Sequence, residues 1–436
     1  MSLEATGRGE LTLDKRALSQ DEKMPLAFAG RRIFMLLYLP SPNLLPPMYH
    51  EATSLAKNGA EVMIACWETD DSTPRTERLA EGMTLRRMPF PSLRFFQKRF
   101  GISPSNKLVA AAQYVVTYTE YVVRGSLMGW RADADLYEAH DLPTLLPMVL
   151  ASFLRRRKLI YRAHELYPEM HARVKFAFIW KMLERLLVPH ADLVITPEPN
   201  RSAIYQREYH ARSSPLTVMN CPPFQEPFVS SVLRDALRQK GIEGETIVLY
   251  QGLFDNSRCI REMIAAASEF HQGIVLVLMG GGFHEWRNPD QFIEGRTNIV
   301  AMPRVTYHDL AAYTASADIG LLFYRNDCRN NYYCAPNKVH EYMMMGLPMV
   351  TVDYPGIRAL VEREGIGRCV NPEDPHAIAA AVNSIASDKG IYRNMRANCL
   401  RAARERYNWE HEFQALKLAY GTLLDGGKDG SRSGRG

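Results

Sequence analysis

Residues 336–356 read PNKVHEYMMMGLPMVTVDYPG, and this stretch decides the fold. Pro336 suits a first helical position, where its missing N–H removes no bond and its φ is already helical. A short helix then runs to Met345; Gly346 terminates it and Pro348 prevents its resumption. Met349 to Asp353 reads as a buried strand, and Tyr354-Pro355-Gly356 as a turn. Such a helix has an open N-terminus carrying Asn337 and Lys338, with Glu341 one turn further on the same side. Free N–H groups, the positive end of the helix dipole and a lysine together suit a diphosphate. A carboxylate at that distance suits the hydroxyls of a ribose or hexose. A capped helix packed on a sheet would carry the same pattern, so the segment is weighed with the rest of the chain.

Outward from it, the second half holds six strand candidates: Thr246–Tyr250, Ile274–Met279, Asn298–Ala301, Ile319–Tyr324, Met349–Asp353 and Gly367–Val370. Helical patterns separate most of them, as in a doubly wound sheet. The first half makes the same alternation. Arg31–Pro40 and Ala60–Trp67 read as strands around a helix at Met48–Lys57, a βαβ unit that argues for a parallel sheet. Asp135–His140, Leu159–Ala163, Asp192–Thr196 and Leu216–Asn220 continue it, with helices from Pro143 to the Arg155–Lys158 cluster and near Val174–Leu187. Cys221-Pro222-Pro223-Phe224 is a stiff connector and marks the domain boundary. The last pattern, Trp409–Leu424, is a helix with Phe413, Leu416 and Tyr420 on its apolar side.

The 436 residues suffice for two ordinary domains, and 46% hydrophobic with 23% charged residues is a soluble globular composition. A formal charge of +5 is slight for this length and does not call for nucleic acid. Seven scattered cysteines without a C-x-x-C pair suit reduced thiols in the cytoplasm. No apolar run is long enough to span a bilayer, and residues 1–23 lack the apolar core of a secretory signal. Aromatic and basic residues interleave from Arg94 to Phe100, ahead of a helix-like run from Lys107 to Arg124. They fit either solvated faces of core helices or peripheral contact with the inner membrane surface.

With these motifs in view, the chain from about Arg32 to about Leu424 resembles the family 4 glycosyltransferases, retaining enzymes of the GT-B fold. The resemblance implies an α/β GT-B architecture, two Rossmann-like doubly wound domains facing a central cleft. The expected organisation is a disordered 1–23, an acceptor-side domain 24–222 and a nucleotide-sugar-binding domain 223–407. A helix 408–424 crosses back to the first domain, and 425–436 is a disordered tail. It further implies transfer of a hexose-type sugar from a nucleoside diphosphate sugar to a hydroxyl of a saccharide or lipid-linked saccharide. No metal or other cofactor is required, and the expected setting is polysaccharide, lipopolysaccharide or glycolipid assembly.

Carried over residue by residue, the resemblance makes His164 and Glu341 the catalytic candidates. Gly252, Arg258, Gly281, Gly282, Asn337, Lys338 and Glu341 are the donor-binding candidates, and His140 and Tyr333 are candidate contacts to acceptor or sugar. The chain departs from the family pattern in three places. Leu253 stands at the usual arginine and Arg258 at the usual lysine, so Lys338 is expected to supply the missing charge. The first of the two usual glutamates falls on Tyr333. The loop Pro40–Pro47 has no glycine with which to approach a phosphate. Met302-Pro303-Arg304 falls where the base pocket is expected.

Other chemistries fit less well. Asp133-Ala134-Asp135 imitates a metal-binding D-x-D, but it opens a strand, where capping and solvation account for it. No H-E-x-x-H, C-x-x-C or G-x-S-x-G motif occurs, and the absence of G-x-G-x-x-G disfavours a nicotinamide dehydrogenase. A sugar-nucleotide epimerase, or a binding protein that has lost catalysis, remains the alternative.

Overall fold

The computed structural model describes residues 26–41, 45–68, 73–100, 106–170, 174, 176–242, 244–282 and 284–425. The apolar runs become strands because helices cover both faces of each sheet, so Ile33–Leu37 and Ile247–Tyr250 are buried throughout.

The first lobe opens with β1 (Arg32–Leu37), α1 (Pro46–Lys57), β2 (Glu61–Trp67), β3 (Thr76–Ala80) and β4 (Met83–Met88). Next come α2 (Pro91–Phe100), α3 (Lys107–Ala132), β5 (Leu136–His140), α4 (Leu142–Arg155) and β6 (Lys158–Arg162). It ends with α5 (Ala177–Leu187), β7 (Leu193–Thr196), α6 (Pro199–Glu208) and β8 (Leu216–Thr217). Its sheet has the order β3-β4-β2-β1-β5-β6-β7-β8, parallel except for the β3–β4 hairpin at one edge.

The second lobe runs α7 (Val232–Gln239), β9 (Thr246–Phe254), α8 (Ile260–Ala266), β10 (Ile274–Gly282), β11 (Ile299–Pro303) and α9 (Tyr307–Ala315). Then follow β12 (Ile319–Leu322), α10 (Arg329–Tyr332), α11 (Asn337–Met345), β13 (Met349–Val352), α12 (Pro355–Glu364) and β14 (Gly367–Val370). Helices α13 (Pro375–Ser387) and α14 (Lys389–Glu405) close it. All strands of the sheet β11-β10-β9-β12-β13-β14 are parallel. All six strand candidates of this half are therefore present. The last helix, α15 (Trp409–Asp425), leaves this lobe and packs on the first: Tyr420 meets Phe28, and Trp409 Nε1 donates to Ser54 Oγ at 2.7 Å.

Two readings of the sequence are corrected, and one hairpin is added. Pro336 is the extended residue before α11 (φ −75°, ψ 135°), so the helix starts at Asn337. Tyr354-Pro355-Gly356 is no free turn: Pro355 starts α12, a use of its fixed φ that serves helix entry equally well. The β3–β4 hairpin has a weak signature in the sequence, because TERLA is mostly polar and only Met83, Leu85 and Met88 of MTLRRM are buried and apolar. Of the tail, Asp425 ends α15 and pairs with Arg31 at 3.2 Å; the rest of it, residues 1–23 and Pro42–Leu44 of the proline loop lie outside the described residues.

A candidate active site in the interlobe cleft

A cavity of about 540 Å³ opens where the carboxyl ends of both sheets face each other, the position expected for ligands of doubly wound sheets. The second-lobe wall is built on α11. Gly346 ends that helix at φ +71°, a left-handed cap that costs glycine little. Tyr342 anchors it to the sheet, and this requires Gly320 in β12: a Cβ there would stand 2.5 Å from the Tyr342 ring. Fixed in this way, α11 presents its N-terminus to the cavity, and no side chain caps it. Asn337, Lys338 and Glu341 all line the cavity.

Lys338 lies across Gly252, with its Nζ 5.8 Å from the centre of the Tyr250 ring. The glycine permits this. It has φ +142°, and a Cβ would fall 2.6 Å from both Cε and Nζ of Lys338. Arg258 stacks on Tyr324 at 3.9 Å, and its Nη1 is buried with no hydrogen-bond partner among the described residues. An unpaired buried guanidinium nitrogen is costly in an unliganded protein. Beside it, burial first and the Arg258 charge second push the Lys338 ammonium down to about 8. Burial raises the Glu341 carboxyl, opposed by Lys338 and by Gln251. Gln251 is held at both ends, donating from Nε2 to Glu341 at 2.8 Å and accepting from Thr314 Oγ1 at 2.8 Å.

This arrangement gives a pH dependence. Lys338 is a cation below about 8 and loses its charge above it, so nucleoside diphosphate affinity falls as pH rises from about 7 to about 10. Titration calorimetry across that range checks this. Lys338→Met, with nothing to titrate, should bind weakly at every pH and lose the dependence.

The first-lobe wall carries His164 just beyond β6, and a chain of buried groups stands behind it. His164 Nε2 and His140 Nδ1 are 2.9 Å apart with nearly parallel rings, and His140 Nε2 faces Glu138 at 3.4 Å. Burial, with Arg162 nearby, holds both imidazoles well below their ordinary range, so the pair is neutral and one proton joins the two rings. Asp141 Oδ1 accepts from the backbone N–H groups of His164 and Glu165, which fixes the turn. Behind His140, Glu51 pairs with Arg162 at 2.9 Å, and the Tyr420 hydroxyl donates to Glu138. Burial and the Glu51 charge raise Glu138 well above the carboxylate range. Glu51, Glu138 and His140 have donor atoms within 4.8 Å of one another, but Arg162 already neutralises Glu51 there.

Several candidates fall elsewhere. His140 is buried behind His164 and does not line the cavity. Tyr333 is turned away from it. Its ring packs against the first-lobe core and Tyr332, and its carbonyl accepts from Arg201 Nε at 2.7 Å. Gly281 and Gly282 do not reach the cavity, whereas Gly280 does. Gly282 is needed for packing, since a Cβ would sit 2.3 Å from that of Trp286. Asp133 and Asp135 lie apart from the cleft lining, the first paired to Arg32 and Arg155 and the second accepting from the Arg32 N–H. Arg304 and Leu253 line the cavity, as does the start of α1 at Pro46 and Pro47.

Arg201 is a further residue of the site that the sequence does not mark. It is 2% exposed and joins the lobes: it donates to the carbonyls of His164 and Tyr333 and to Asn330 Oδ1. Asn330 Oδ1 also accepts from the Leu166 N–H at 2.8 Å. A lone arginine in a helix gives no sequence signal for this, because its partners come from distant segments.

The comparisons bear on the family and the two-lobed fold. Residues 48–221 match the family model described as glycosyl transferase 4-like domain, and residues 245–388 match glycosyl transferases group 1. Chitobiosyldiphosphodolichol beta-mannosyltransferase of Candida albicans is 23% identical over 306 residues, covering 63% of this chain and 66% of that enzyme, a little under two thirds of its length. Sucrose-phosphate synthase from Thermosynechococcus elongatus superposes with a TM-score of 0.70 at 18% identity, over 91% of this chain and all of that one. Anabaena HepE in complex with UDP-glucose gives 0.63 at 16% identity, over 90% and 99% of the two chains. With one glycosyltransferase model on each lobe, in order, and the two-lobed fold shared along nearly the whole length, the chain belongs to the family 4 glycosyltransferases of the GT-B fold.

Proposed function

We propose that the enzyme transfers a sugar from a nucleoside diphosphate sugar to a hydroxyl acceptor with retention at the anomeric carbon, and without a divalent metal. The observation that carries this reading is the pairing of Lys338 with an Arg258 nitrogen that has no hydrogen-bond partner among the described residues, at the open start of α11 and across the cavity from His164. The diphosphate gains charge as the anomeric C–O bond breaks. Fixed cations and helix N–H groups aimed at it stabilise that state more than the ground state. The acceptor oxygen bonds to the anomeric carbon from the face the phosphate leaves, and its proton passes to the departing phosphate oxygen. His164, a neutral imidazole, contributes hydrogen bonding rather than charge. Glu341, held by Gln251, suits the donor's hydroxyls.

A saccharide or lipid-linked saccharide is the proposed acceptor. The Candida relative is named for a diphosphodolichol acceptor and a mannosyl product, and HepE binds UDP-glucose. Mannose and glucose donors are therefore the first to test.

Purified enzyme is incubated with these donors and candidate lipid-linked acceptors in the presence of a chelator. The expected result is release of nucleoside diphosphate only when acceptor is present, and a product with the donor's anomeric configuration. A product of opposite configuration would overturn retention. Conversion of the donor sugar without acceptor would favour the epimerase alternative.

A further inference from the structure

Helices α3, α4 and α5 form one layer over the first-lobe sheet. Arg155 stacks on Trp130 at 4.9 Å, joining the ends of α4 and α3, and Tyr118 meets Trp180 at 4.9 Å, joining α3 to α5. The outer side of this layer is apolar. Phe153 is 79% exposed, Phe178 78% and Leu186 62%, and Val123, Trp130 and Leu154 add to it. Most of the large apolar side chains exposed among the described residues lie on these three helices. Along α3 the exposed Val116, Val123, Leu127 and Trp130 follow the helical period, with Ala112 and Thr119 on the same line, so they make one stripe that a single threonine interrupts. A soluble monomer rarely leaves a face of this kind uncovered.

Charge says what covers it. Not one exposed position of α3, α4 or α5 is Asp or Glu, while Lys107, Arg131 and Arg185 are exposed there and Arg156 follows α4. A second copy docked on the same face would bring these cations together across a two-fold axis, which opposes association. Anionic headgroups around an apolar acyl layer satisfy both halves of the surface, and a tryptophan at the rim suits the headgroup level. We infer that the α3–α4–α5 face docks the enzyme on an anionic lipid bilayer.

The docked face adjoins the cleft. Glu165 and Met170 line the cavity, and between them Tyr167 meets Trp180 of α5 at 5.4 Å and Glu169 pairs with Lys181 of α5 at 2.5 Å, so a membrane-held acceptor would approach from this edge. The surface also shifts the site of contact away from the Arg94–Phe100 run alone, although α2 too has no buried residue.

Flotation with vesicles of phosphatidylcholine, with and without phosphatidylglycerol, tests the inference on the full-length protein. Binding is expected only to the vesicles containing phosphatidylglycerol, and it should weaken as salt is raised. The double variant Phe153→Ser, Phe178→Ser should lose about tenfold or more in vesicle partitioning while keeping its circular dichroism and its donor affinity. Arg156→Gln with Arg185→Gln should weaken binding and flatten its salt dependence.

Protein that stays with no vesicle, or variants that partition like the wild type, would overturn it. So would a stable dimer that Phe178→Ser converts to monomer, which would assign the face to a second copy. Vesicle binding is read without donor. Its failure would therefore leave the transferase proposal intact, and an inactive enzyme that still floats would leave the docking face intact.

Discussion

Lys338→Ala is expected to lower kcat/KM for sugar transfer by about a hundredfold to a thousandfold, the effect of removing one fixed charge partner of a transition state. Most of the loss should fall in kcat, because the diphosphate carries more charge at the transition state than in the intact donor. Folding should be little affected. The lysine is pushed down to about 8 in the empty site, chiefly by burial and then by Arg258, so removing it relieves an unfavourable burial. A thermal melt unchanged or slightly raised, beside a large loss of turnover, is the expected pair of results. Arg258→Ala should act in the same direction, since its Nη1 has no hydrogen-bond partner among the described residues and the change gives up only the stacking on Tyr324.

Gly252→Ala should come close to the same loss without touching a charge. The added methyl falls 2.6 Å from Lys338 Cε and Nζ, and the backbone at φ +142° is strained for any residue but glycine. The lysine end is flexible and is displaced, so the cation leaves the position it holds between Tyr250 and the helix start. A reduction in kcat/KM of about a hundredfold is expected. The double variant with Lys338→Ala should be scarcely worse than either single one, because both remove the same interaction. Steady-state kinetics on the three variants reads this directly. Additive losses would mean that Gly252 serves the donor by another route.

Much of this architecture is legible in the sequence. Parallel strands buried on both faces must be continuously apolar, so runs such as IVLVLM in β10 announce themselves. The start and end of α11 are marked by Pro336 and Gly346, whose backbone preferences are local. His164 could be placed because it lies just beyond a strand at the ligand-binding edge of the sheet. The parts that resisted reading depend on tertiary partners. Tyr333 follows a glutamate spacing in the sequence, yet the short α10 and the pull of Arg201 on its carbonyl turn it into the first-lobe core. Gly281 and Gly282 look like phosphate-binding glycines, but only Gly280 reaches the cavity. The Glu138–His140–His164 chain is spread over two strands, and only their parallel pairing, His140 beside Arg162, brings the two histidines together.

In the proposed reading, the start of α11, with Lys338 and Arg258, holds the donor by its diphosphate. Titration calorimetry of the enzyme with a nucleoside diphosphate, the matching monophosphate and the free nucleoside tests it most directly. Affinity should rise steeply with each phosphate in the wild type, and Lys338→Ala and Arg258→Ala should erase this gain while leaving nucleoside binding unchanged. Equal affinity for nucleoside and diphosphate, or a phosphate gain that survives both substitutions, would contradict it.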